Sequence, residues 1–154
     1  MGIKNLLYAQ CLANVEQRIA TSIEAIQAAQ TAANEETKSS SGDKYETGRA
    51  MAQLEIEKNS EQLAEAKKLQ EVLTQINPDN QTRIIQSGSL VTTNHGKFFI
   101  AIPAGQLTVE GEVYYAISRA SPVASHLLGL TAGMKFVFNQ KTFVVEQVQW
   151  IGEW

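Results

Sequence analysis

The chain has 154 residues, of which 44% are apolar and 19% are charged, and its formal net charge is −3. This composition permits a packed core and excludes a wholly disordered chain. It also argues against a broad basic face for nucleic acid, so no sequence-specific DNA binding is expected.

Cysteine content and apolar run length bear on the compartment. Cys11 is the single cysteine, so no internal disulfide can form, which favours a reducing environment. The first residues lack the apolar core and cleavage site of a secretory signal, and no apolar run approaches the ~20 residues of a membrane helix. We therefore predict a soluble, cytoplasmic protein with no membrane partner.

Residues 1–77 have the composition of helices, with no proline and only three glycines. Apolar residues recur at steps of three or four, which is the helical period, apart from a polar stretch around Lys58 and Asn59 in the second segment. They are Leu12, Val15, Ile19, Ile23, Ile26, Ala29 and Ala33 in a first segment, and Met51, Leu54, Leu63, Ala66, Leu69, Leu73 and Ile76 in a second. Two long helices, each with a narrow apolar stripe, are predicted.

Such stripes are typical of a coiled-coil seam and need a partner helix. Each helix would have roughly 30 residues and extend ~45 Å. The nearest partner for each is the other, through a polar turn at 38–49, and Pro78 stops the second helix. The sequence thus predicts an antiparallel coiled-coil arm over 1–77, with its tip at 38–49.

Residues 78–154 are predicted to form a separate head with a mostly antiparallel sheet. Val, Ile, Phe, Tyr and Thr are frequent there, and turn signals separate the strands. Between the last strands, Ser121 can cap a short helix, Pro122 suits its first position, and Gly129 suits its end. The predicted fold class is α+β.

Three segments resemble the Gre family of bacterial transcript-cleavage factors. The stretch "GDKYETGRAMAQLE" (42–55) is similar to the tip of their coiled coil. The stretch "ISRASPVASHLLGLTAGMKFVF" (117–138) is similar to their C-terminal signature, and "SGSLVTTN" (87–94) to the first C-terminal strand. The similar segments occur in the family's order and with similar spacing, and the second is the most specific.

The resemblance implies an FKBP-like head that docks on bacterial RNA polymerase and a coiled coil that enters the secondary channel. The family's tip acids fall on Asp43 and Glu46, which would help hold a Mg²⁺ shared with the polymerase and position water. The nascent RNA 3′ end would be met indirectly. The protein would stimulate the polymerase's own nuclease activity and bind no cofactor stably.

The same resemblance suggests partner contacts at both ends of the chain. Tyr45 at the tip is a candidate for stacking on a base. The candidate partner-binding residues are Lys44, Tyr45 and Arg49 at the tip and Arg119, Ser121 and Pro122 at a strand–helix junction of the head.

Three other interpretations remain open. Glu46 is followed by Thr47, where the family typically has Asn, and Lys44 and Arg49 nearly neutralise the tip, as suits a channel-binding modulator without cleavage activity. The second interpretation is a coiled-coil module with an unrelated partner. In that case Asp43 and Glu46 would form only a helix-capping box.

The third is an enzyme that uses Cys11 with His95 or His126. Cys11 lies within a predicted helix and has no basic neighbour that would lower its pKa. The sequence therefore favours a small buried apolar role for this thiol.

Overall fold

The structure, a computed structural model, describes residues 2–36, 42–79 and 82–149. For Glu36 and residues 42–46 it describes the main chain alone. All structural statements below concern these residues.

The chain forms two compact units. The sheet unit contains residues 1–14 and 71–154, and the hairpin unit contains residues 15–70. The border predicted at residue 77 follows the change from helical to strand composition. The compact units instead follow packing, so the ends of both helices belong to the sheet unit.

Two long helices form the predicted N-terminal hairpin. The first, α1, spans Ile3–Glu36, and the second, α2, spans Gly42–Thr74. The main chain leaves the helix through a turn in which Ile76 donates a hydrogen bond to the carbonyl oxygen of Leu73, ahead of the predicted stop at Pro78. Within the described ranges, neither helix is apolar enough to cross a membrane.

The seam of the hairpin unit follows a seven-residue repeat. Most buried and half-buried positions recur at alternating steps of three and four residues along each helix, as in coiled coils. Those in the repeat are Val15, Ile19, Ser22, Ile26, Ala29 and Ala33 on α1, and Ala52, Ile56, Asn59, Leu63 and Ala66 on α2. Gly48, four residues before Ala52, is also half-buried.

Three apolar residues predicted for the seam lie outside it. Ile23 is 39% exposed, and Met51 and Leu54 are each 61% exposed. Their places are taken by residues that keep the seven-residue step, among them the polar Ser22 and Asn59. The seam is thus set by position in the repeat, and apolar character alone misidentified its members.

Six strands and one short helix make up the rest of the sheet unit. The strands are β1 (Leu90–Thr93), β2 (Gly96–Ala101), β3 (Gly105–Val109), β4 (Glu112–Ser118), β5 (Lys135–Phe138) and β6 (Lys141–Gln149), and the helix is α3 (Pro122–Leu127). The strand order is β3-β4-β2-β1-β6-β5. The architecture is α+β, as predicted.

Most neighbouring strands run antiparallel, but β2 and β4 run parallel, with Phe98 opposite Tyr115. Between β1 and β6 the register shifts after Thr92. Tight turns join β3 to β4 and β5 to β6. Glu110 in the first turn has φ 53°, and Asn139 and Gln140 in the second have φ 50° and 64°. These positive values are typical of the turns that match strand twist in hairpins.

One core lies between the sheet and α3. Residues from β1, β2 and β6 that share a sheet face pack with Leu127 of α3 in this cluster. Its buried members are Ile85, Val91, Phe98, Ile100, Leu127, Phe143, Val145 and Val148. Of the aromatic residues in the strand segments, Phe98, Phe99, Tyr114 and Phe143 are buried and Tyr115 is exposed, while Trp150 lies outside the described residues.

The alternating residues on the other sheet face are also covered. Leu90 pairs with Phe99, Phe99 pairs with Ala116, and all three are buried. Near this face, the Gln10 side-chain amide of α1 donates a hydrogen bond of 3.0 Å to the carbonyl oxygen of Thr108 in β3. The sheet is therefore buried on both faces over its central strands.

Candidate functional site

The predicted tip, residues 38–49, divides into two parts. Residues 38–41 lie outside the described part of the chain, whereas 42–49 are the first two turns of α2. Asp43 and Glu46 therefore have helical main chains and lie three positions apart. Positions with this spacing share one face of a helix, with Cβ atoms ~5–6 Å apart.

The helical start also bears on the capping interpretation. Because α2 begins at Gly42, Asp43 is its second helical residue. An N-cap residue precedes the first helical residue and has a non-helical main chain. The main chain of Asp43 thus lies inside the helix, one residue after its start, and not at the N-cap position.

The other tip candidates accompany these acids on α2. Lys44 and Tyr45 lie between them in the sequence. Both have helical main chains, and their side chains are not described. Arg49 lies one turn further on and is exposed. The structure thus brings all five tip candidates onto the first two turns of one helix.

The head candidates sit where β4 leads into α3. Ser121 is the N-cap of α3 with an extended main chain, and its Oγ accepts a hydrogen bond of 3.3 Å from the Ala124 main-chain N–H. Pro122 is exposed at the first helical position, and Arg119 is exposed in the preceding turn. The predicted roles of Ser121 and Pro122 in starting this helix are confirmed.

At this junction Ser121 stabilises the start of α3, whereas Arg119 is exposed to solvent. The Ser121 main-chain carbonyl additionally accepts hydrogen bonds from the main chain and the hydroxyl of Ser125. Its side chain is engaged in holding α3, whereas Arg119 presents a cation to solvent. A partner that docks here would be recognised chiefly through Arg119 and the Pro122 ring.

The chemistry of a Cys–His enzyme is not supported. Cys11 is fully buried, and burial raises the pKa of its thiol to about 11. The thiol is consequently protonated near neutral pH, and only the thiolate is a strong nucleophile. The prediction that Cys11 is a small buried apolar group is confirmed.

Both histidines are part of an aromatic cluster that sequence reasoning missed. The His95 ring lies 4.6 Å from that of Phe143, and the His126 ring stacks on that of Phe136 at 5.3 Å. Phe136 and Phe143 stack in turn at 5.0 Å. The alternation of Phe residues on β5 and β6 signalled the strands, but the imidazoles come from a turn and from α3.

A shallow cleft of about 260 Å³ lies on the sheet unit beside Thr92, Lys97 and Tyr114. Lys97 forms an ion pair with Glu112, and its ammonium lies 5.5 Å from the centre of the Tyr114 ring. Burial and, to a lesser degree, Glu110 raise the pKa of Tyr114. Among the described residues, the one cation that lines this cleft, Lys97, is matched by Glu112, and Glu110 adds a second acid, so the cleft has no free positive charge for an anionic ligand.

Metal ligands are sparse in the described part of the chain. No group of three or more His, Cys, Asp or Glu side chains among those residues could hold an ion. The side chains of residues 42–46 are not among them.

Comparison with known proteins adds no family assignment. No protein-family model matches the chain, and no curated protein is significantly similar to it. The resemblance to the Gre factors rests on the three quoted segments alone.

Proposed function

We propose that this protein is a Gre-like factor that binds bacterial RNA polymerase in the cytoplasm. Its helical hairpin would enter the secondary channel, where Asp43 and Glu46 would stimulate cleavage of backtracked transcripts. The observation that carries the proposal is a hairpin of helices of 34 and 33 residues whose second helix begins with these acids.

The length of the hairpin supports a function based on reach. The part of α1 in the hairpin unit, residues 15–36, extends about 33 Å at ~1.5 Å per residue. Residues 37–41 connect the two helices, so the acids begin α2 at the end where the hairpin turns. A narrow channel admits two paired helices far more readily than it admits a sheet.

The chemistry at the tip also supports the proposal. Asp43 and Glu46 share a helix face, and carboxylates are preferred ligands of Mg²⁺, which commonly keeps several waters and phosphate oxygens. A second Mg²⁺ at such a site neutralises charge on the phosphodiester that is cleaved. Two carboxylates suffice when the polymerase and the RNA supply the other ligands, so the acids would position the ion and its water.

The head would provide the docking surface. A sheet with a short helix packed on one face is compatible with the FKBP-like domain of the Gre factors, although a shared fold does not by itself define function. Arg119 and Pro122 are exposed at the junction that the resemblance identifies. Lys44, Tyr45 and Arg49 would contact the channel or the RNA end.

A modulator without cleavage activity is the second candidate. Lys44 and Arg49 bring two cations within two turns of the acids, and Thr47 replaces the family's typical Asn. These cations would compete with Mg²⁺ for the carboxylates. Such a factor would occupy the channel without completing the metal site.

Transcript cleavage in stalled, backtracked polymerase complexes tests the first proposal. The wild-type protein should release short RNA, and Asp43→Asn with Glu46→Gln should abolish this release while binding persists. The matched control is Glu57→Gln with Glu61→Gln, two exposed acids further along the same helix. Binding without cleavage by the wild type would favour the modulator.

Co-sedimentation with polymerase tests docking separately. Arg119→Glu should weaken binding at least about tenfold if this cation meets an acidic surface. The control is Lys141→Glu, the same charge reversal at an exposed residue of β6. Absence of any wild-type binding would instead favour a coiled-coil module with an unrelated partner.

A further inference from the structure

The register of the hairpin can be followed from one hydrogen bond. The Tyr8 hydroxyl of α1 donates to the Leu73 carbonyl oxygen of α2 over 2.7 Å. Because the helices run in opposite directions, seven residues forward on α1 correspond to seven residues back on α2. Applied from that hydrogen bond, the seven-residue repeat pairs Val15 with Ala66, Ser22 with Asn59 and Ala29 with Ala52, and all six are buried or half-buried.

The middle layer of this series is polar and buried. Ser22 is 5% exposed and Asn59 is 9% exposed. The Asn59 amide donates to the Glu55 carbonyl oxygen at 2.8 Å and lies 3.4 Å from the Glu55 carboxylate. Its hydrogen bonds thus go to its own helix, so the layer contributes little apolar burial to the seam.

The seam differs on the two sides of this layer. Towards residues 15 and 70 it contains Val15, Ile19, Leu63 and Ala66. Towards the turn it contains Ile26, Ala29, Ala33, Gly48, Ala52 and Ile56. Small side chains dominate the second set, while the larger Met51 and Leu54 of the same stretch are exposed to solvent.

We propose that the Ser22–Asn59 layer divides the hairpin unit into two segments that open independently. The outer segment comprises residues 23–36 and 42–58, and the inner segment comprises 15–21 and 60–70. Segments with little buried apolar surface open at lower free energy than well-packed ones. The outer segment therefore opens locally while the inner segment stays paired.

Hydrogen exchange of the full chain, resolved by mass spectrometry at peptide level, tests this division. Amides of the outer segment should exchange at least about tenfold faster than those of the inner segment. The change should be a step located at residues 22 and 59. A gradual increase towards the turn would indicate simple end fraying and overturn the proposal, as would equal rates throughout.

Filling the layer with apolar side chains gives a second test. Ser22→Leu with Asn59→Leu should slow exchange across the whole outer segment at least about fivefold and remove the step. The control is Glu24→Leu with Lys58→Leu, which adds the same side chains at exposed positions. If both double variants change exchange equally, the layer has no special role.

A second pair of substitutions controls for the volume that the two leucines add to the layer. Ser22→Ala with Asn59→Val removes the polar groups and nearly keeps the side-chain volume, so it neither overpacks the layer nor leaves a large cavity. The outer segment should then still exchange faster than the inner one, but the step should become smaller. An unchanged step in a folded variant would contradict the assignment of the division to these two residues.

Discussion

The hydroxyl of Tyr8 on α1 donates a hydrogen bond of 2.7 Å to the main-chain carbonyl oxygen of Leu73, in the last turn of α2. The last carbonyl groups of a helix lack partners within the helix. This one also accepts from the Ile76 main-chain N–H. The bond therefore ties the first turns of α1 to the end of α2 inside the sheet unit.

Tyr8→Phe should lower the free energy of unfolding by about 1 kcal/mol, because it deletes one part-buried hydrogen bond and leaves the ring in place. Urea denaturation followed by circular dichroism measures this change. The matched control is Tyr115→Phe, the same deletion on an exposed residue of β4. Equal effects of the two substitutions would show that the Tyr8 bond contributes nothing specific.

Local signals in the sequence predicted the elements well. Ser121, Pro122 and Gly129 mark the start and end of α3 because caps and φ preferences act within a few residues. The turns at Glu110 and at Asn139 follow the same rule, since the main-chain twist selects their residues. Helix and strand composition likewise identified the two kinds of structure in the chain.

Features that depend on distant partners were not predictable. The parallel pairing of β2 with β4 joins strands that are separated by β3 in the sequence, and no local pattern encodes that choice. Ile23 and Ser22 compete for the same place in the seam. Apolar character favours Ile23, whereas the seven-residue repeat favours Ser22. Which of them is buried depends on the partner helix.

The candidate site was predictable in its position more than in its geometry. Asp43 and Glu46 were recognised from the quoted tip segment, but the helical main chain at both residues follows from where α2 begins. The aromatic cluster around His126 arises from tertiary packing of α3 on β5 and β6. Rings from separate elements meet there without any sequence spacing that relates them.

Gly88 and Gly129 have similar positive φ angles but differ in the space that a Cβ atom would find. Their φ angles are similar, 93° and 86°. A Cβ at Gly129 would meet nothing within 4 Å, whereas a Cβ at Gly88 would lie 3.0 Å from the Ile76 Cγ2 atom. Ile76 is buried and β-branched, so its methyl group has little freedom to move.

Gly129→Ala should therefore destabilise the protein by about 1 kcal/mol through main-chain strain alone. Gly88→Ala should cost roughly 1 kcal/mol more, because the added methyl also displaces a packed side chain. Urea denaturation of both variants checks the order. A larger loss of stability for Gly129→Ala than for Gly88→Ala would contradict this order.

The buried thiol of Cys11 makes stability depend on alkaline pH. Burial raises its pKa from 9.0 to about 11. Below pH 9 the thiol is protonated in both the folded and unfolded states, so its contribution is fully present. Between about pH 9 and 11 the unfolded chain releases the proton and the folded chain retains it, so stability falls as pH rises.

The size of this loss follows from the shift in pKa, at about 1.4 kcal/mol per pH unit, and amounts to about 3 kcal/mol. Lys4 and Tyr114 also have pKa values that are shifted in the folded chain. Burial lowers the pKa of Lys4 against the opposing effect of Asp79, and burial raises that of Tyr114. Lys4 thus adds stability with rising pH, and Tyr114 removes it.

Comparison with Cys11→Ala isolates the thiol, because Lys4 and Tyr114 remain in both proteins. Urea denaturation with a non-thiol reductant should give a wild-type curve that falls more steeply than the variant's between pH 9 and 11. The difference between the two proteins should shift by about 3 kcal/mol over that window. Parallel curves would mean that the Cys11 thiol ionises as readily in the folded chain as in the unfolded one, which full burial of the side chain does not allow.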